Sequence, residues 1–238
     1  MNQYTQGLRS SQSIAEENAR FMSGVYKWMA MGVLLTAIVA YYVSQSEAIM
    51  RYLIMNRFAF IILIVLQFGS VIYLSLMMKK ISAVVASLVY FTYAGLTGLT
   101  FSTIFLVYTQ DSIQGAFIVT TCGFAGLSAF GYLTKRDLGP VGTFCHMGLW
   151  GLIGFGILSI FFPTLLGGSM GMVYSLVGVV VFAGLTAYDT QKIKSSNIIG
   201  NEGTAEDHKE TIFGALTLYL DFINLFLMIL RLTGNRRR

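Results

Sequence analysis

The chain contains seven long stretches of predominantly apolar residues separated by short polar connections. A helix needs about 20 such residues to cross the ~30 Å hydrocarbon layer of a membrane. Charged residues make up only 11% of the 238 positions, whereas ordinary soluble domains contain about 25%. The sequence therefore predicts an all-α polytopic membrane protein, a bundle of seven transmembrane helices. The seven apolar stretches are 25–43, 58–77, 82–107, 115–133, 141–162, 170–190 and 212–232.

The polar parts of the chain are too short to form a soluble domain. Residues 1–20 carry both signs of charge without apolar periodicity, so we expect a flexible polar N-terminal tail. Residues 21–233 form the transmembrane domain, and 234–238 form a basic C-terminal tail. The longest internal polar stretch, 192–211, is interpreted as a connecting loop. The bundle itself must therefore carry the function.

The distribution of Lys and Arg predicts the orientation in the membrane. If the helices alternate, ten of the 16 basic residues lie on the side of the N-terminus, and basic residues favour the cytoplasmic side. The basic residues at the end of the chain, Arg231 and 236–238, oppose this assignment. Either seven crossings export them, or the last segment is re-entrant; its length and lack of a turn signal favour seven crossings. The net charge of +5 is spread over many connections, so it does not indicate a nucleic-acid partner.

Cysteine and histidine do not indicate a metal centre. Cys122 and Cys145 have no CxxC spacing, and His146 and His208 are far apart in the sequence. We therefore expect no cofactor other than a weakly bound cation.

Small and hydroxyl-bearing residues occur inside several apolar stretches. The glycines predict close approach of helix backbones, the usual role of small residues in lipid. The hydroxyls of the third stretch either bond back to their own helix or line a wet cavity. The glycines are Gly95, Gly98, Gly123, Gly126, Gly148, Gly151, Gly154, Gly178 and Gly184; the hydroxyl residues are Tyr90, Thr92, Tyr93, Thr97, Thr100, Ser102 and Thr103.

Two aspartates, Asp189 and Asp221, lie in the last two apolar stretches. A carboxylate at bilayer depth costs about 2.5–3.5 kcal/mol on insertion scales, so it marks a candidate functional site. Asp221 is near the middle of its stretch, and Asn224 lies on the same helical face. Asp189 is three residues before Lys192 and has the alternative interpretation of a solvated helix end.

If the two aspartates meet, they form a pH-dependent latch. Two carboxyl groups in a low-dielectric pocket would share a proton and titrate as a pair. Loss of that proton would repel the sixth and seventh helices unless a cation bridged them. Ca²⁺ takes 6 to 8 oxygen ligands, so Asp189, Asp221 and Asn224 with hydroxyls and water would form a weak site. Hydropathy places the two aspartates at different depths, so pairing requires an axial shift of one helix.

Three motifs give the chain a resemblance that covers nearly its whole length. They are the pattern from Tyr90 to Ser102, AYDTQ at 187–191 and LYLDFINLF at 218–226. With these motifs, the chain resembles the transmembrane Bax inhibitor motif family in its compact bacterial form. The resemblance implies a bundle with a central seventh helix and a calcium leak governed by a pH-responsive aspartate pair, here Asp189 and Asp221.

The short loops and the lack of a eukaryotic retention tail indicate a bacterial protein, so we expect an inner membrane location. The Lys and Arg count predicts a cytoplasmic N-terminus. Some relatives place a basic residue inside the second helix to pair with the aspartates. Here 58–77 contains only Gln67 as a strongly polar group, so a latch of that kind is not predicted.

Three functions are considered for a chain with these features. The first is a pH-sensitive calcium (cation) leak channel gated by the aspartate pair. The second is a membrane interaction protein that modulates a membrane protease or stress-response partner through its N-terminal tail. The third, an intramembrane aspartyl protease, is disfavoured because Gly-Asp signatures are missing: Tyr188 precedes Asp189, and Leu220 precedes Asp221. We therefore expect no enzymatic activity.

Overall fold

The computed structural model describes residues 2–78 and 80–237, with side chains for the same residues except 2–12 and Pro163. Three residues that belong to the predicted tails or to the charge count lie outside the described residues: Met1, Lys79 and Arg238.

The described residues are arranged almost entirely in helices. Seven helical segments of this part of the chain are long and apolar enough to cross a membrane, which confirms the predicted all-α, seven-span architecture. The helices are α1 (Asn2–Gln45), α2 (Glu47–Met55), α3 (Arg57–Met77), α4 (Ala83–Phe101), α5 (Ile104–Val107), α6 (Gln110–Leu133), α7 (Gly139–Phe161), α8 (Gly168–Ser196) and α9 (Ala205–Thr233), with a 3₁₀ turn at Pro163–Leu166.

The last helix is the most buried of the seven spans. In α9, 67% of the most apolar window is buried, against 44% or less in the other spans. Most of the apolar window of α9 is therefore covered by protein.

The chain divides into two compact units, the first formed by Met1–Thr103 and Ile193–Thr217. In this unit α4 packs against both α1 and α3. The Thr36 hydroxyl of α1 donates a hydrogen bond to the Ala94 carbonyl of α4 (2.9 Å). Gly98 allows this approach, because a Cβ there would lie 2.8 Å from the Thr36 carbonyl oxygen.

The second unit is formed by Ile104–Lys192 and Leu218–Arg238. Its helices also approach at glycines: a Cβ at Gly178 of α8 would lie 2.5 Å from the Met228 sulfur of α9. The apolar core of this unit is formed by Cys145, Leu152, Val181, Phe182, Leu185 and Leu225.

The close-packing prediction holds for only some of the glycines. Gly98, Gly178, Gly148 and Gly184 meet neighbouring helices at their Cβ positions. Five others have no heavy atom of the described residues within 4 Å of that position, so they leave open surface: Gly95, Gly123, Gly126, Gly151 and Gly154.

The hydroxyls of α4 bond to backbone. Thr97 and Thr100 donate to the carbonyls four residues earlier, at 2.9 and 3.2 Å. Tyr90 donates to the Trp28 carbonyl of α1 (2.9 Å). Thr97 and Thr100 therefore have the first of the two predicted arrangements, in which hydroxyls bond back to their own helix, whereas Tyr90 bonds to a neighbouring helix. Thr100 also accepts a hydrogen bond from Gln67, the one strongly polar residue of 58–77.

The helices extend further than the apolar stretches. The predicted loop 192–211 is wrong in extent, because α8 continues to Ser196 and α9 begins at Ala205. Lys, Gln and Glu propagate helices well, so a change to polar sequence marks the end of the apolar span and not the end of the helix.

The N-terminal polar stretch is also helical, since α1 begins at Asn2. The Gly200 N–H donates to the Glu17 carboxylate (2.6 Å), and Asn197 donates to Asn18 (2.9 Å). Arg20 forms an ion pair with Glu202. Residues 17–20, which the sequence assigns to a flexible tail, are thus in contact with the loop between α8 and α9.

The end of the chain pairs with the connection before α6. The Thr109 N–H donates to the Asn235 carbonyl (3.1 Å), and the Arg237 N–H donates to the Val107 carbonyl (2.9 Å). Arg231 donates to the Leu166 carbonyl (2.9 Å). α9 is one continuous helix up to Thr233, so its described residues contain no hairpin of a re-entrant segment.

The aspartate pair as the candidate functional site

Asp189 and Asp221 come together in the second unit, although hydropathy places them at different depths. Asp189 lies seven residues before the end of α8, and Asp221 lies twelve before the end of α9. Both are buried, with 8% and 5% of their surface exposed. The interpretation of Asp189 as a solvated helix end is therefore wrong.

The two carboxyl groups are hydrogen-bonded to each other. An ionised carboxylate can only accept hydrogen bonds, whereas a protonated carboxyl group can donate one. The contact therefore requires a proton on at least one of the two groups. The structure thus brings the two predicted aspartates together, and their titration as a pH-dependent latch stays a prediction.

One oxygen of the pair remains available. Asp221 Oδ2 is buried and has no hydrogen-bond partner among the described residues. A buried polar atom without a partner costs about 1–3 kcal/mol, so it is a natural acceptor for a proton, a water molecule or a cation. The two carboxyl groups supply only part of the 6 to 8 oxygen ligands that Ca²⁺ takes, and the described residues contain no group of three or more His, Cys, Asp or Glu side chains placed to hold a metal ion.

Asn224, the third predicted site residue, is half-buried one turn after Asp221. Its amide nitrogen donates to the Leu220 carbonyl of its own helix (2.8 Å). Asn224 is therefore held on α9 by a local bond, and its role as an additional oxygen ligand stays a prediction.

Two groups that can carry positive charge lie near Asp189. His146 of α7 and Lys192 of α8 are close enough to interact electrostatically with its carboxyl group. The His146 ring nitrogen Nδ1 bonds to the Gly142 carbonyl (2.7 Å), and the Lys192 ammonium lies 5.6 Å from the centroid of the Tyr188 ring. Tyr188, next to Asp189 in the chain, packs edge-on against the His146 ring, with 5.8 Å between the ring centroids.

The turn of α8 that carries Asp189 is packed closely against α6. A Cβ at Gly131 of α6 would overlap the Ala187 carbonyl oxygen. One turn away, Thr190 donates to the Ser128 hydroxyl (3.3 Å). These contacts limit sideways movement of α8 at the level of the pair.

The last residue of the AYDTQ motif holds the connection between α6 and α7. Gln191 accepts a hydrogen bond from the Leu138 N–H (2.9 Å) and donates one to the Arg136 carbonyl (2.8 Å). Sequence reasoning missed this role, although a Gln at the end of a transmembrane span was a visible signal. It also missed Gly131, which no polar pattern marks.

Comparison with known proteins shows the family of the chain. Residues 18–238 match the family model described as inhibitor of apoptosis-promoting Bax1. The chain is 46% identical to inner membrane protein YbhL of Escherichia coli over 231 residues, which cover 95% of this chain and 97% of that protein. It is 39% identical to RP147 of Rickettsia prowazekii, over the full length of both chains. The chain is a multi-pass membrane protein, and it belongs to the Bax inhibitor-1 family.

Proposed function

We propose that the protein is a pH-sensitive calcium (cation) leak channel gated by Asp189 and Asp221. The observation that supports the proposal is the contact between two buried carboxyl groups, Asp189 of α8 and Asp221 of α9. We propose that this contact joins the two helices only while it holds a proton. We assign Asp189 and Asp221 as the gating residues and as weak cation ligands. The pair has no catalytic role in this mechanism.

The sign of the pH response follows from the chemistry of the pair. At low pH the shared proton closes the contact between α8 and α9. As the pH rises and the proton leaves, two like charges about 4 Å apart repel by about 4 kcal/mol at an effective dielectric constant of 20. A free energy of that size changes an equilibrium between two packings nearly a thousandfold. Flux should therefore increase with pH.

A cation in the opened site would reduce the repulsion. The free Asp221 oxygen is available to it, and a site with two carboxylates and mainly water ligands releases Ca²⁺ readily. Weak binding of this kind suits permeation. By its similarity to an inner membrane protein and by its charge distribution, we place the chain in a bacterial inner membrane with a cytoplasmic N-terminus.

Calcium flux into liposomes that contain only the purified protein tests the proposal. Flux that increases with pH and requires no other protein supports a channel. Absence of flux at every pH, in liposomes that contain folded protein, overturns it.

A further inference from the structure

The connection between the first two membrane spans, residues 46–56, forms a corner that is held by hydrogen bonds at the ends of α2. The Ser46 hydroxyl caps α2 by accepting a hydrogen bond from the Ile49 N–H (3.5 Å). Asn56 joins α2 to α3: its N–H donates to the Tyr52 carbonyl, and its side-chain oxygen accepts from the Ala59 N–H (3.1 Å). Because both helix ends are capped, the corner presents a defined surface.

This corner is amphipathic and lies at a membrane boundary. Met50 and Leu53 of α2 are buried, whereas Tyr52 and Met55 are 60% and 73% exposed. Phe58, in the first turn of the membrane-spanning α3, is 79% exposed. A short amphipathic helix at the end of a span, with exposed aromatic residues, is typical of the interface between lipid and water.

Two arginines share the outer surface of the corner. Arg51 and Arg57 are exposed and line, together with Tyr52, Met55 and Phe58, an open concave surface of about 570 Å³. The ion pairs found among the described residues do not involve either guanidinium. Glu47, the acidic residue of α2, lies one turn before Arg51 but forms none of these ion pairs.

Arg51 is held along the apolar side of this surface. Its guanidinium Nε donates a hydrogen bond to the Met55 sulfur (3.5 Å), so the guanidinium lies against an apolar side chain of this surface. The surface therefore combines an apolar floor with two cationic groups that form no ion pair with the side chains that the structure describes. That combination matches a molecule with an acyl chain beside an anionic head.

We propose that the surface formed by Arg51, Tyr52, Met55, Arg57 and Phe58 binds the headgroup phosphate of an anionic phospholipid. A guanidinium fork matches the geometry of phosphate oxygens, and the exposed aromatic rings flank the start of the acyl chains. The site is independent of the aspartate pair. It also gives a physical reason for the presence of Arg51 and Arg57 on the side of the membrane that is predicted to carry fewer Lys and Arg residues.

A local fluorescence measurement tests the site. Phe58→Trp, at an exposed position, places a reporter at the surface; the two native tryptophans, Trp28 and Trp150, give the background measured in the parent. Full-length protein is reconstituted with brominated phosphatidylglycerol or brominated phosphatidylcholine, and quenching of the reporter is compared. We expect severalfold stronger quenching by phosphatidylglycerol.

Removal of the arginines should abolish this preference. In Arg51→Gln/Arg57→Gln on the Phe58→Trp background, we expect equal quenching by both lipids; two basic residues at an anionic surface typically contribute about 30-fold in affinity. The matched control, Lys135→Gln/Arg136→Gln, removes two exposed charges from another connection and should leave the preference intact. Helix content by circular dichroism confirms folding of each variant.

Three results would overturn the proposal. They are equal quenching by both lipids in the Phe58→Trp protein, a preference that survives loss of both arginines, and a preference that excess inorganic phosphate abolishes. The last result would assign the surface to free phosphate and not to lipid.

Discussion

The carboxyl group of Asp189 in α8 is hydrogen-bonded to that of Asp221 in α9, and both residues are more than nine-tenths buried. Since a hydrogen bond between two carboxyl groups needs a shared proton, this contact can exist only in a protonated form of the protein.

Replacement of either aspartate by asparagine should remove the pH dependence of cation flux. An Asn amide at position 189 or 221 can donate to the remaining carboxylate at any pH, so the contact no longer depends on a proton. Calcium flux in liposomes across mildly acidic to mildly alkaline pH measures this for Asp189→Asn and Asp221→Asn. Asp111→Asn, at an exposed position in the first turn of α6, is the control and should keep the parental profile. If both pair variants also keep it, the pair is not the gate.

Two glycines of α6 should respond in opposite ways to alanine. Gly131→Ala places a methyl group against the Ala187 carbonyl, so we expect a loss of about 1–3 kcal/mol in the free energy of unfolding, the usual cost of overpacking. Gly126→Ala has open space and should leave stability unchanged or raise it, because Ala favours helix. Thermal unfolding in detergent compares the two. Equal melting temperatures would show that α6 and α8 can separate at this point without loss of stability.

The C-terminus should lie on the opposite side of the membrane from the N-terminus. Residues 235–237 pair with the connection before α6, so a cysteine at position 238 should react from the same side as Asp111→Cys. Asp137→Cys, after the other end of α6, should react from the side of residue 2. The labelling background is Cys122→Ser/Cys145→Ala, in which the buried Cys145 is replaced by a smaller residue. Reaction of positions 2 and 238 from one side would require an even number of crossings.

Deletion of residues 2–19 should leave flux in liposomes near the parental value, since the gate lies between α8 and α9. It should nevertheless reduce stability by roughly 1–3 kcal/mol, because it removes the hydrogen bonds of Glu17 and Asn18 to the loop after α8. Flux and thermal unfolding of the same preparation separate the two effects. Asn18→Ala is the smaller matched change, with about half of the stability loss. Lost flux in a folded deletion variant would place control far from the aspartates.

The seven spans could be predicted because lipid imposes a length and a composition on each helix. The chemistry of the aspartate pair could also be predicted, since a buried carboxyl group needs a proton or a partner. The axial position of α8 against α9 could not. It depends on side-chain packing such as that of Gly178 against Met228, and hydropathy contains no information on that contact. For the same reason, the sequence alone makes Asp189, three residues before Lys192, look like a solvated residue at the end of a membrane span.

The ends of the helices also could not be predicted from the sequence. The length of an apolar stretch predicts only the part of a helix that crosses the membrane. The backbone of α8 remains helical beyond that part, through Lys192 and Lys194 to Ser196. The contacts of Glu17 and Asn18 join residues about 180 positions apart in the chain. Neither residue carries a local signal for such a contact.

The pairing of residues 235–237 with 107–109 has a consequence for biosynthesis. The Asn235 N–H donates to Ser112 across a separation of 123 residues. The connection that opens α6 is therefore synthesised long before residues 235–237, which pair with it. The second unit can close only after α9 has been synthesised, and until then the carboxyl group of Asp189 must find its proton or partner elsewhere.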